Sequence, residues 1–181
     1  LTLISTQDLS DYVGRDLSAD AGALLAVESA DQLVRTLTEQ DFEPLTSTVY
    51  LDGTGTDAIF LPQRPVNAVG TVTVNGTIDT DFTFTADGRL TRADSGESYA
   101  TWTEQPAGYW PAGRQNIAVT YEHGGTVPED VRMVAIMAAY RLVTQGGAIS
   151  EQVGGVTRRY AIAAGDLSAA ERAILRRYRG R

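Results

Sequence analysis

The spacing of apolar residues changes twice along the chain. Over residues 1–45 it is helical. Ser5-Thr6-Gln7-Asp8 has the form of a capping box, Leu9, Tyr12 and Val13 share one face, and Gly14 stands where a left-handed stop is expected. A second start at Ser18 leads into Ala23, Val27, Ala30, Val34 and Leu37, with Glu28, Asp31 and Arg35 between them, and Pro44 closes the segment. Over residues 46–124 the period becomes two. Val49 and Leu51 point one way, Ile59 and Leu61 follow the Gly53/Gly55 turn, and Val72 and Val74 alternate with Thr71 and Thr73. Asn75-Gly76 is a two-residue hairpin signal leading to Ile78, Phe82 and Phe84, and Asp87-Gly88 marks another before Leu90. Trp102, Ile117, Val119 and Tyr121 supply later strands, so the segment predicts a small antiparallel sandwich or barrel.

Helical spacing returns at residues 127–145. Pro128 suits the first helical position, and Glu129 and Asp130 suit the positive end of the helix dipole. Val131, Val134, Ala135, Ala138 and Leu142 form one apolar stripe. Met133, Ile136, Met137, Tyr140 and Val143 form a second, which predicts a helix buried on most sides and ended by Gly146-Gly147. Residues 148–165 read as a flexible or strand-like connector. Ser168-Ala169-Ala170-Glu171 is a second capping box, opening a last helix with Ala170, Ile174 and Tyr178 on one face and Arg172, Arg176 and Arg179 beside it. An isolated helix of this length is marginal in water, so it must dock on its own core or on a partner. The expected fold class is α+β: a small helical bundle with an antiparallel β domain inserted between the second and third helices. The expected boundaries are a helical core of residues 1–45 and 125–181 and an inserted β domain of residues 46–124.

Composition narrows the function classes. A chain of 181 residues with 43% hydrophobic content can form one body with an insertion. No stretch reaches the roughly 20 apolar residues of a membrane span, and Leu1 to Ser5 lacks the basic and apolar regions of a signal peptide. The absence of cysteine removes disulfides, thiolate nucleophiles and Cys-ligated zinc, and fits a cytosolic origin. The net charge of -8 is uneven: residues 156–181 carry seven arginines against Asp166 and Glu171, a net of +5, which leaves -13 for the rest. An acidic body repels nucleic acid, whereas a basic tail seeks acidic surface. All 15 basic residues are arginine, which codon usage in a GC-rich genome explains for the chain as a whole; in the tail, arginine also suits bidentate contacts.

The search for chemistry finds little. His123, the single histidine, lies in the turn Glu122-His123-Gly124-Gly125 and could act as a base only if the fold brings a serine to it. Asp52-Gly53-Thr54-Gly55-Thr56-Asp57 lacks the ligand run of a calcium loop and the following helix of a dinucleotide loop, so a polar hairpin loop explains it better. Asp79, Asp81 and Asp87 fit an exposed sheet face better than a carboxylate pair. Tyr99, Trp102, Tyr109 and Trp110 have the composition of a sugar or peptide platform, against the commoner outcome of a core plug with a loop hydrophobe. No P-loop, HExxH or paired Cys/His pattern occurs. No cofactor or metal is expected.

Several segments, taken in order, resemble the head-to-tail connector (adaptor, or head-completion) proteins of long-tailed bacteriophages. They are the N-terminal helix pair, Leu61-Pro62-Gln63-Arg64-Pro65-Val66 leading into Val72-Thr73-Val74-Asn75-Gly76, Val119-Thr120-Tyr121-Glu122-His123-Gly124-Gly125 running into Val127-Pro128-Glu129-Asp130-Val131-Arg132, and Leu167-Ser168-Ala169-Ala170-Glu171 through Leu175 and Tyr178-Arg179. The resemblance covers most of the chain, and its motifs are structural. The β insertion is larger than the simplest, all-helical members need. The resemblance implies a non-enzymatic virion protein of the head-tail interface, made in the host cytoplasm. It would form a dodecameric ring below the portal protein, extend the channel through which the genome passes without sequence-specific binding, and present a surface to the next, head-closure connector. No membrane is implied. The family's C-terminal region commonly engages the portal, which makes Arg172, Arg176, Arg177, Arg179 and Arg181 the candidate docking residues. Two other classes remain open: a glycan- or peptide-binding β domain on a helical base, resting on Tyr109-Trp110, and a hydrolase resting on His123 and the carboxylates.

Overall fold

A computed structural model describes residues 2–93, 108–145, 150–153, 156–159 and 166–179. The fold is α+β, and the described residues divide into two compact units, one built from residues up to 40 and from 127 to 179 and the other from residues 41–126.

The first unit is helical. Helix α1 (Thr6–Val13) opens on a reciprocal box in which Ser5 Oγ accepts from the Asp8 N–H and the Asp8 carboxylate accepts from the Ser5 N–H, and it ends at Gly14 in the left-handed conformation. Helix α2 spans Ala21–Thr38. Its cap is Asp20, not Ser18: the Asp20 carboxylate accepts from Gly22 N and Ala23 N, while Ser18 N donates to Asp16 in a turn before it. The helix also stops short of Pro44, because Glu39 turns left-handed at φ 56° and its N–H caps the Arg35 carbonyl. Helix α3 (Glu129–Gln145) is the main partner of α2. Small residues on both helices, Ala23, Ala26 and Ala30 against Ala135, Ala138 and Ala139, are buried and let the backbones approach closely, with Val27, Val34, Val131 and Val134 filling the seam. Each valine removed from water contributes about 1.5–3 kcal/mol. The second apolar stripe of α3 is not fully covered. Ile136 is buried, but Met133 and Tyr140 are exposed, and Tyr140 meets Tyr12 edge-on at 5.4 Å. Strands β8 (Ser150–Val153) and β9 (Val156–Arg159) pair antiparallel, so the connector after α3 is strand-forming; Gly146-Gly147 lies outside the described residues. Helix α4 (Ala169–Arg176) ends the unit.

The second unit holds two antiparallel sheets. In the larger, the order is β1 (Leu45–Gly53), β7 (Gly113–His123), β3 (Val66–Val74), β4 (Thr77–Asp79). In the smaller it is β2 (Ala58–Phe60), β6 (Arg89–Arg92), β5 (Phe82–Phe84). The 75–76 turn forms as its sequence predicts, with both residues at positive φ (51° and 82°), which only Asn, Asp and Gly adopt readily. One core serves both sheets: Ile59, Leu61 and Leu90 meet Val72, Ile117 and Val119 around Trp110. The 52–57 segment is not a hairpin loop. It carries the chain from β1 in one sheet to β2 in the other, pinned by Gly53 N to Asn116 Oδ1 (2.8 Å) and by the mutual backbone bonds Gly55 N to Trp110 O and Trp110 N to Thr56 O. Likewise Ile78 and Phe82 sit on strands of different sheets. Trp102 lies outside the described residues.

Candidate docking surface

The C-terminal helix is held by its own unit. Ser168 and Glu171 form the predicted box, and the Glu171 carboxylate also takes two hydrogen bonds from Arg141 of α3, Nη1 to Oε1 at 2.9 Å and Nη2 to Oε2 at 3.2 Å. Both partners are nearly removed from water, their side chains 12% and 5% exposed. Burial pushes the Glu171 carboxyl up, but the hydrogen bonds from Arg141 and Ser168 outweigh it and hold the group below the usual carboxylate range. Leu167 and Leu175 complete the seat. Past the helix, Asp130 at the start of α3 accepts from Arg177 Nη2 at 2.7 Å and from Tyr178 Oη at 2.8 Å.

This changes the reading of the arginines. Arg172 pairs with Asp166, Arg177 with Asp130 and Arg179 with Glu39, so three of the five candidate contacts already serve intramolecular ion pairs. Arg176 is exposed and has no ion-pair partner among the described residues; Arg181 lies outside them. Between α2 and α4 runs a groove lined by Leu33 and Leu37 from α2, by Leu167 and Leu175 opposite, and by the charged side chains of Asp166, Arg172, Arg176 and Arg179. Sequence reasoning marked the arginines but missed this groove, because it needs the α2–α4 packing that only the tertiary fold supplies.

The candidate chemistry resolves differently. His123 is not a turn residue: it ends β7, is fully buried, and pairs by register with both Leu45 and Val66. Ser47 Oγ does lie 2.9 Å from His123 Nε2, which is half of a nucleophile–base pair. The other ring nitrogen, where a triad carries its orienting carboxylate, has no hydrogen-bond partner among the described residues. Burial lowers the imidazole pKa, with the Asp41 charge opposing, so the ring is held neutral. Asp79 pairs with Arg92 at 2.9 Å and accepts from the Asp81 N–H, while Asp87 accepts from Thr85 in its turn. Trp110 is fully buried and donates from Nε1 to the Leu90 carbonyl at 3.2 Å, so it is a core plug and offers no face to a sugar; Tyr109 is partly exposed, and Tyr99 lies outside the described residues. Among the described residues, no group of three or more His, Cys, Asp or Glu is placed to hold a metal, and no helix is long and apolar enough to cross a membrane.

No curated protein sequence matches the chain. Several solved structures share its fold. The neck of the native GTA particle, computed with C12 symmetry, aligns with a TM-score of 0.58 at 15% identity, covering 100% of this chain and 94% of that one. The virion of the native gene transfer agent (GTA) particle aligns with a TM-score of 0.60 at 16% identity, covering 99% and 90%. The neck of the empty particle, computed with C6 symmetry, gives 0.58 at 16% over 99% and 90%. The family model described as head completion protein matches residues 2–180, and the chain accordingly belongs to the head completion protein family.

Proposed function

We propose that this protein is a non-catalytic head-to-tail connector subunit of a tailed phage or phage-like particle, which forms a ring below the portal, extends the DNA channel and offers the tail its attachment surface. The observation that carries the reading is the match to the head completion family over essentially the whole chain. The likeness to neck structures computed with C12 and C6 symmetry supports a ring, with twelve copies as the expected number. In this reading the helical unit is the connector core, and the β unit is an elaboration carried on it. The fully buried His123 and Trp110 support action through shape and association.

The C-terminal segment is the proposed portal contact. Since α4 is clamped by Arg141, the portal-facing part is the basic end that follows it, Arg177, Arg179 and Arg181, with Arg172 and Arg176 on the helix behind. The acidic balance of the rest of the chain suits a conduit, because arginines gripping phosphate would release counterions and hold the DNA.

Negative-stain microscopy with and without portal tests the reading: annular particles are expected. Particles that stay monomeric beside the portal, or nanomolar duplex binding at physiological salt, would overturn it. Reversing Arg177, Arg179 and Arg181 to Glu should abolish portal binding; it also breaks the pairs with Asp130 and Glu39, but α4 should stay folded by circular dichroism, since its seat rests on Arg141, Leu167 and Leu175.

A further inference from the structure

Two surfaces of α2 are unmatched within the described residues. Near its start, Leu24 and Leu25 are 51% and 63% exposed, unusual for leucines on an amphipathic helix whose other face is packed. At 100° per residue Glu28 falls between them in azimuth, one turn on. Glu28 is exposed and has no hydrogen bond or ion pair among the described residues. Near the end of the same helix, Leu33 and Leu37 line the α2–α4 groove together with Leu167, Leu175 and Arg176. Of the arginines around that groove, Arg172 and Arg179 are answered by Asp166 and Glu39, whereas Arg176 is not answered.

The two surfaces are complementary in kind: two protruding leucines with one spare carboxylate, and a groove of four leucines among charged side chains, of which Asp166, Arg172 and Arg179 are already paired and Arg176 is not. They cannot meet within one copy. They lie about 16 Å apart along the helix and about 150° apart around it, from the 1.5 Å rise and 3.6 residues per turn. A protrusion and a recess at opposite ends and faces of one rigid element make a head-to-tail contact, which repeats from copy to copy and closes into a ring when the rotation allows.

We propose that the α2–α4 groove takes the Leu24–Leu25 edge of α2 from a second copy of this chain, with Glu28 of one copy paired to Arg176 of the next. The inference rests on the ring-forming reading above and assigns the contact that builds the ring. It uses one arginine of the basic segment and leaves those after α4 to the portal.

The test is a charge exchange, read by sedimentation velocity and negative-stain microscopy of the full chain, alone and with portal. Glu28→Arg and Arg176→Glu each place like charges at every contact and should lower the apparent assembly constant by about tenfold or more. The double variant restores opposite charges at every contact and should recover rings. Leu25→Glu should abolish rings through the apolar half. These side chains are exposed, so thermal midpoints should stay near that of the parent chain. Rings that persist in both single variants, or a double variant that fails to recover them, overturn this contact and leave the ring reading intact. Loss of portal binding in Arg176→Glu while rings persist gives the groove to the portal instead, and also overturns it. A parent chain that forms no ring in either condition overturns both readings.

Discussion

The guanidinium of Arg141 and the carboxylate of Glu171 meet face to face through two hydrogen bonds at a site almost closed to water. Removing one member of such a pair leaves the other charged and uncompensated, which costs about 3–5 kcal/mol. Glu171→Gln should therefore destabilise the helical unit by that order, measured by urea denaturation at neutral pH. Replacing both residues by apolar ones of similar volume should cost far less. The Glu171 carboxyl is lowered in the folded state, so its contribution is present in full above the unfolded value of about 4.3 and is lost as pH falls through the folded value. The Gln variant should accordingly show a shallower acid limb.

His123 carries the opposite kind of pH dependence. Its folded pKa is lowered, so between that value and the unfolded one of about 6.5 the unfolded chain binds the extra proton. Stability of the β unit should be complete above about pH 6.5 and decline as pH falls below it. Thermal midpoints between pH 8 and 5.5 would measure this decline. His123→Gln, which can keep the bond to Ser47 but does not titrate, should flatten it; an unchanged slope in that variant would place the dependence elsewhere.

Adjacent glycines give an internal control for backbone geometry. Gly124 has φ +82°, and a Cβ there would collide with the Glu43 carbonyl, a backbone atom that cannot swing aside. Gly125 has open space in the same direction. Gly124→Ala should cost about 1–3 kcal/mol, while Gly125→Ala should stay within about 0.5 kcal/mol of the parent. Denaturant midpoints of the two variants measured side by side would check this.

Trp110→Ala should cost about 3–5 kcal/mol through the cavity it leaves between the two sheets. Tyr109→Ala, one residue away and partly exposed, should be nearly silent. A glycan array on the folded parent chain should show no signal that depends on Trp110; one that did would revive the binding-module reading.

Where residues act through their immediate neighbours, the sequence was legible. Both capping boxes, the 75–76 turn and the separation of helical from alternating periods need contacts no more than a few residues apart, and each formed where its pattern pointed. The failures are long-range. Gly53 and Gly55 read as a hairpin turn, but the partner of β1 is β7, some sixty residues on, and nothing local says so. Ser18 lost the α2 cap to Asp20, because two donors were in reach of its carboxylate. His123 looked like a turn residue because two glycines follow it; its burial depends on strands far away in sequence. The arginine cluster was visible as charge, but which arginines were already engaged depended on Asp130, Glu39 and Asp166 arriving from elsewhere.

The helical unit is assembled from two stretches of chain with the whole β unit between them. During synthesis α1 and α2 emerge first and wait, with their buried faces bare, until α3 leaves the ribosome some ninety residues later. The β unit has all its strands by then and can close on its own. Helix α4 follows α3 in the chain and lines the groove together with α2. Until α4 has emerged, a nascent chain therefore has no finished recess beside α2.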